Sequence, residues 1–423
     1  MGLLVFVGAT LYPVSGPPIA DGVLVVDGGV IVAAGTADTV EVPADAEVID
    51  VSGKVIIPGL VDTHSHIGGG RLHEHLSVTQ PGISAVDAID PTHASIQRAQ
   101  AGGLTTVNVM PGSGKLMGGQ TAYLKLKDTA VVDEMLLCQE VDGDGPARRG
   151  ICGGMKMANG TNPQGEGGDP ASRMGAAYLQ RQAMMKGQAR LEETRTPPDD
   201  SKKRRKKKGA APEPVTPDLD ADALAQVVSG ERVVHFHTHR ADDVITILEL
   251  REEFGGAASG FEVVLHHVSE AWKVADQIAA AGVPCSLIIV DSPGGKEEAM
   301  EIRAENGAVL EALGVPVAFH TDDPITDSRL FLRSAGLAVR AGMTPEGALK
   351  ALTLAPAEMM GLGDRVGSLE AGKDADFVVL SGDPLSVYTQ VEQTWIEGAQ
   401  VFDRASERTL ATGGDAAPAQ GVK

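Results

Sequence analysis

Between residues 55 and 362 the chain alternates short apolar runs with longer stretches of helical periodicity. No other feature constrains the fold as much. A strand followed by a helix, repeated many times, builds a parallel sheet with its helices packed outside it. Strands are predicted at Leu104–Met110, Tyr123–Lys127, Glu134–Cys138, Gly154–Ala158, Val233–His239, Glu262–His267, Cys285–Val290 and Val317–Thr321. Helical patterns lie at Pro91–Ala101, Asp242–Phe254, Ala271–Ala281, Glu297–Leu313, Asp327–Ala341 and Ala348–Met360. A (β/α)₈ barrel over 55–362 fits this run.

The two ends of the chain read differently. Leu3–Val7, Val23–Val26, Val30–Ala34 and Glu47–Val51 are β-rich, with a hairpin signal at Asp27-Gly28-Gly29. Asp376–Leu380 and Val391–Ile396 have the same character. Neither end has enough strands for its own core. One β-sandwich shared by residues 1–54 and 363–410 is therefore predicted, with the barrel inserted between them. Residues 196–218, rich in proline and charge, read as a mobile loop, and 411–423 as a disordered tail.

Charge and cysteine content narrow the function. The formal net charge is −21, and the basic run Lys202–Lys208 is an isolated exception. An acidic surface repels nucleic acid and anionic membranes, so neither is expected as a partner. The three cysteines, Cys138, Cys152 and Cys285, are scattered, which argues against a disulfide framework and against a thiolate zinc site. No leader peptide and no membrane span are read in the sequence, so a soluble, cytoplasmic chain is expected. A homodimer is the default oligomer.

A parallel barrel places its chemistry at the C-terminal ends of its strands. The run VIIPGLVDTHSH, residues 55–66, ends in His64 and His66, two residues apart and so on one face of a strand. Both reach one cation there, and imidazole suits a divalent metal. Lys156 lies in the apolar stretch Gly154–Ala158. His235, His237 and His239 share a face of the fifth strand. His266 and His267 are adjacent, so alternation lets only one enter the barrel and sends the other to the helix layer. His320 is in phase with Asp322 at the end of the eighth strand, one layer deeper.

The string Pro-Gly-x-x-Asp-x-His-x-His resembles the first strand of the amidohydrolase superfamily. Residues 367–380 resemble that family's return to its small β domain, and the imidazolonepropionase-like and prolidase-like branch is the most similar. The resemblance implies a metal-dependent hydrolase. Its ligands fall on His64, His66, His237, His267 and Asp322, with Lys156 as a carbamylated bridge between two ions. His237 and His239 remain interchangeable as ligand and substrate contact, while His235 is read as a hydrogen-bonded core residue. Asp322 is the implied proton carrier, and His267 is implied in catalysis. Zinc is the expected metal, as one or two ions, although manganese and iron suit the same donors. Gln120, in a glycine-rich loop overhanging the site, together with Arg173, His239 and Arg240, is the expected substrate contact. A guanidinium can clamp a carboxylate in bidentate fashion.

The implied reaction is hydrolysis of a C–N bond in an amide, a cyclic amide or a small dipeptide. Two other classes compete. Deaminases of nucleobase-like rings carry a Glu three residues after the fifth-strand histidine, where this chain has Arg240 after His237 and Asp242 after His239. A non-catalytic scaffold would have lost several of the ligands.

Overall fold

The structure, a computed structural model, describes residues 2–138, 150–164, 170–195, 216–255, 261–290, 292 and 294–406. The basic run 202–208 and the tail 411–423 lie outside them. Strands β1 to β5 span Leu4–Leu11, Ile19–Asp27, Val30–Thr36, Glu47–Asp50 and Val55–Pro58. Strands β6 to β9 span Leu60–Ser65, Leu104–Val109, Met117–Gln120 and Ala122–Lys125. Strands β10 to β14 span Met155–Ala158, Val234–Thr238, Val263–His267, Cys285–Ile288 and Val317–His320. Strands β15 to β17 span Phe377–Leu380, Val391–Ile396 and Ala399–Asp403.

Both ends of the chain meet in one eight-stranded sheet, ordered β17-β16-β15-β5-β1-β2-β3, with β4 also pairing β1. Strand β5, assigned to the barrel by sequence, belongs here, because it pairs with both β1 and β15. On one face Phe6, Phe377 and Trp395 pack ring to ring at 4.9–5.7 Å. Each such buried side chain contributes about 1.5–3 kcal/mol. The opposite face carries Val5, Val23 and Val25, as strand alternation requires.

The middle of the chain forms two further sheets, β14-β13-β12-β11-β10-β8 and β6-β7-β9. Within them β10 to β14 run parallel, as do β6 and β7. These hydrogen-bonded sheets are not the single ring of eight parallel strands read from the sequence. One extended run, broken at Thr121, supplies β8 antiparallel to β10 and β9 antiparallel to β7. The glycine-rich turn before it reverses the chain. At the other edge Asp322 N donates to His64 O at 2.9 Å, tying the end of β14 to β6.

Helices pack around these strands. They are α1 Ala94–Ala101, α2 Arg173–Arg195, α3 Leu219–Val228, α4 Ala241–Gly255, α5 Ala275–Ala281, α6 Asn306–Ala312, α7 Arg333–Arg340, α8 Pro345–Lys350 and α9 Leu354–Met359. Caps match the sequence. Asp218 accepts from Ala221 N at the start of α3, and Thr344 accepts from Gly347 N before Pro345 of α8. Helix α2 was not expected. Its buried stripe, Ala176-Gln180-Ala183-Met184-Gly187-Arg190, has helical spacing but includes Gln and Arg, so hydrophobicity alone does not reveal it.

Two local expectations change. Residues 134–138 form no strand. A short 3-10 turn at Val132–Glu134 is followed by one isolated bridge, Leu124 to Leu136. The scattered cysteines nevertheless include a pair, because Cys138 and Cys152 form a disulfide. Tyr123 explains it. Its carbonyl accepts from Leu137 N at 2.9 Å and its N–H donates to Cys152 O at 2.8 Å, so one residue holds both segments together. No helix among the described residues is long and apolar enough to cross a membrane.

Candidate active site

The C-terminal ends of β6, β10, β11, β12 and β14 converge on a buried cluster of histidines. Asp62 locks the cluster's two edges. Its carboxylate accepts from His64 N at 3.0 Å on its own strand, and from Thr321 Oγ1 at 2.5 Å and Thr321 N at 3.2 Å beyond β14. Burial pushes this carboxyl up to about 7. The aspartate of the sequence string thus joins the element carrying His64 to the one carrying Asp322.

His66 shows how the donors are aimed. Its Nδ1 lies 2.8 Å from Met110 O, a carbonyl that can only accept, so Nδ1 carries the proton. In a neutral ring Nε2 then has its lone pair free, and it faces Asp322 Oδ1 at 3.0 Å. His64 Nε2 lies 3.4 Å from the same oxygen. Acceptors this close need a proton or a cation between them. His64, His267 and Asp322 each bring one donor atom within 4.8 Å of the others.

Burial holds His64, His237, His266 and His267 well below the usual imidazole range, so these rings are neutral. Among the described residues, His64 Nδ1, His237 Nδ1 and His267 Nε2 are buried without a hydrogen-bond partner. Imidazole nitrogens converging on a carboxylate, as His64 and His66 Nε2 do on Asp322, are the donor set of zinc and similar divalent ions. The residues present therefore fit such an ion.

Lys156 lies in this cluster. It is fully buried, with Nζ 3.1 Å from His64 Nε2 and 3.1 Å from Met110 Sδ. Burial, reinforced by Lys296 and opposed by Asp322, holds its amine down to about 7.

The expected division between His266 and His267 fails. His267 adopts φ +69° and Asp322 φ +50°, both left-handed. The turn at His267 breaks the strand alternation, and both histidines enter the interior. The His266 ring lies 5.0 Å from His64 and 5.3 Å from His320, not in the helix layer. Such backbone costs about 1–3 kcal/mol per residue and concentrates at functional sites.

Behind the cluster runs a hydrogen-bonded chain. Tyr123 OH meets His235 Nε2 at 2.8 Å, and His235 Nδ1 meets His266 Nε2 at 2.9 Å. His320 links His267 Nδ1 at 3.2 Å to Ser286 Oγ at 2.8 Å. Asp323 turns away and accepts from Ser328 N and Oγ at 2.9 and 2.7 Å.

His237 joins His239 and Glu298 in a second group of donors within 4.8 Å of one another. Glu298 was not singled out in the sequence, and neither was Lys296, whose Nζ sits among the three. Both belong to the segment after β13, which carries no recognisable motif. Glu298 also lines a cleft of about 730 Å³ with Thr161, Arg173, Arg240, Asp242 and Glu270. The two arginines are already paired. Arg173 bonds Asp243 at 2.9 Å and reaches Glu298 at 3.4 Å, and Arg240 forks onto Asp242 at 2.8–2.9 Å. Gln120 is placed elsewhere. It sits in β8 opposite Met155, and its amide donates to Pro81 O at 3.4 Å. The stretch read as an overhanging loop became a strand there.

The chain is similar to known proteins. The amidohydrolase family profile matches residues 236–402. Amidohydrolase tasK of Hapsidospora irregularis is 27% identical over 382 residues, covering 86% of this chain; the chain spans only 38% of that protein's length. An imidazolonepropionase of Geobacillus kaustophilus is 25% identical over 401 residues, with 86% of this chain and 84% of that protein covered. The crystal structure of an amidohydrolase from Thermotoga maritima MSB8 superposes with a TM-score of 0.83 and 31% identity, over 95% of this chain and all of that one.

Proposed function

The chain belongs to the amidohydrolase superfamily, and we propose that it is an enzyme hydrolysing a C–N bond in an amide, a cyclic amide or a small dipeptide. The observation that carries this reading is the convergence of the His64 and His66 Nε2 atoms on the Asp322 carboxylate, 3.4 and 3.0 Å away. His64, His66, His267 and Asp322 would hold a divalent cation, with Lys156 beside His64 as a further ligand. Similarity to an imidazolonepropionase over most of both chains supports this branch of the family.

Such an ion, zinc in first place, supplies Lewis acidity, which polarises a carbonyl and makes water nucleophilic near neutral pH. The chain does the rest. Asp322 accepts the water proton at its carboxylate and returns it to the departing nitrogen. Its side chain is 20% exposed, so water and substrate reach it. The histidine left outside the ion's ligands, His237 where His267 is bound, would offer an N–H to the developing oxyanion. Met110 O holds His66 in the tautomer that presents Nε2. The interior site suits a small-molecule substrate.

The test is a panel of N-acyl amino acids, ring amides and dipeptides, followed by NMR for a new carboxylate and amine. Turnover that vanishes with Asp322→Asn supports the proposal. Ammonia release from purines or pyrimidines, without amide turnover, would replace hydrolysis of amides by deamination.

A further inference from the structure

The second group of donors already holds a cation of the chain's own. Lys296 Nζ lies 2.9 Å from His239 Nε2, 3.2 Å from His237 Nε2 and 3.0 Å from Glu298 Oε1. An ammonium only donates. Both ring nitrogens must therefore present lone pairs, which is also what a metal ion requires. Behind it, His239 Nδ1 lies 2.8 Å from Ser269 Oγ, a hydroxyl able to accept the Nδ1 proton of that tautomer.

Glu298 is equally prepared. Its side chain is 2% exposed, and Oε2 accepts from Thr161 N at 2.8 Å. Oε1 is buried and faces the Lys296 ammonium at 3.0 Å, while Arg173 reaches Oε2 at 3.4 Å. Two imidazole nitrogens and one carboxylate oxygen, aimed at one point, make a divalent-ion site in all but its occupant.

We propose that Lys296 is a built-in cation that occupies a second metal-ion site, made by His237, His239 and Glu298, so that the active site takes up one divalent ion rather than two. The inference rests on the metal centre proposed at His64, His66 and Asp322. Lys296 is then a positioning residue. It keeps positive charge opposite Asp322 and orients His237 and His239 without a second ion. Two like charges in one small site repel strongly at low dielectric, so the ammonium and a divalent ion exclude each other.

The experiment counts ions. The 423-residue chain is stripped with a chelator, titrated with Zn²⁺ by calorimetry, and assayed for zinc after gel filtration. The wild type is expected to bind one equivalent tightly. Lys296→Met, which removes the charge but keeps the length, should bind two, the second at least about tenfold tighter than any second ion in the wild type, a difference of about 1.4 kcal/mol. Lys296→Gln should behave likewise and serves if the Met variant does not fold. Lys296→Arg should stay at one, and Lys296→Met with Glu298→Gln should return to one. Two tight ions in the wild type, or one in a folded Lys296→Met, would overturn the inference and leave the proposed function standing. No zinc in the wild type would overturn both, and His64→Ala identifies which site a single ion occupies.

Discussion

Lys125→Met tests how the terminal sheet is fastened to the parallel strands. Lys125, in β9, is 1% exposed, and its Nζ lies 2.5 Å from Asp374, 3.2 Å from Asp376 and 3.1 Å from Glu397. Without it, Asp374 keeps Arg365 at 2.9 Å, and Glu397 keeps Lys127 at 2.7 Å. Asp376, whose side chain is 1% exposed, keeps only Glu397 N at 2.9 Å. The penalty falls on that one carboxylate, and stranding a buried charge costs about 3–5 kcal/mol. For a chain of this size that is a fall of about 3–6 °C in apparent Tm. Adding Asp376→Asn removes the stranded charge and should recover at least half of the loss, a coupling read from the double-mutant cycle. The sign with pH follows. Burial already holds the Asp376 carboxyl above its usual range with Lys125 present. Without the ammonium it rises further, and the folded state binds a proton that the unfolded chain has released. The deficit should therefore grow between about pH 5 and pH 8. Scanning calorimetry at both values measures it. A variant melting within about 1 °C of wild type, or strictly additive effects of the two substitutions, would refute the reasoning.

Other outcomes follow from the same geometry. Asp322→Asn should lower kcat by about 10²–10⁴-fold in the amide assay. Tyr123→Phe strands His235 Nε2, and denaturant unfolding should show a loss of about 1–3 kcal/mol. Burial pushes the Glu397 carboxyl up, but Lys127 and Lys125 outweigh it and hold the group below its ordinary value of 4.5. Its contribution to stability is full above that value and is lost as pH falls through the lower folded one. Glu397→Gln should accordingly flatten the acid limb of a Tm-against-pH curve.

Where sequence patterns follow from local geometry, they located the structure. The first strand, with its string from Pro58 to His66, and the strands ending at His237, His267 and Asp322 were legible because apolar runs and period-two spacing are local properties. Four features were not. The inward turn of both His266 and His267 depends on a backbone angle that alternation assumes away. Helix α2 hides a buried stripe behind Gln180 and Arg190, which make their bonds in the tertiary structure: Gln180 to Ala158 O, Arg190 to Asp222. Lys296 and Glu298 lie at the start of a stretch read only as a helical pattern from Glu297, and only the fold brings them to His237 and His239. The Cys138–Cys152 pair likewise depends on Tyr123 bonding both flanks. Long-range pairings of this kind leave no signal in residue spacing.

The most direct test of the metal centre is anomalous diffraction at the zinc edge from crystals of the zinc-loaded chain. The account predicts one peak about 2.0–2.2 Å from the His64 and His66 nitrogens and the Asp322 carboxylate, and none at the position of Lys296 Nζ. No peak at His64 and His66, or a peak only between His237, His239 and Glu298, would contradict it.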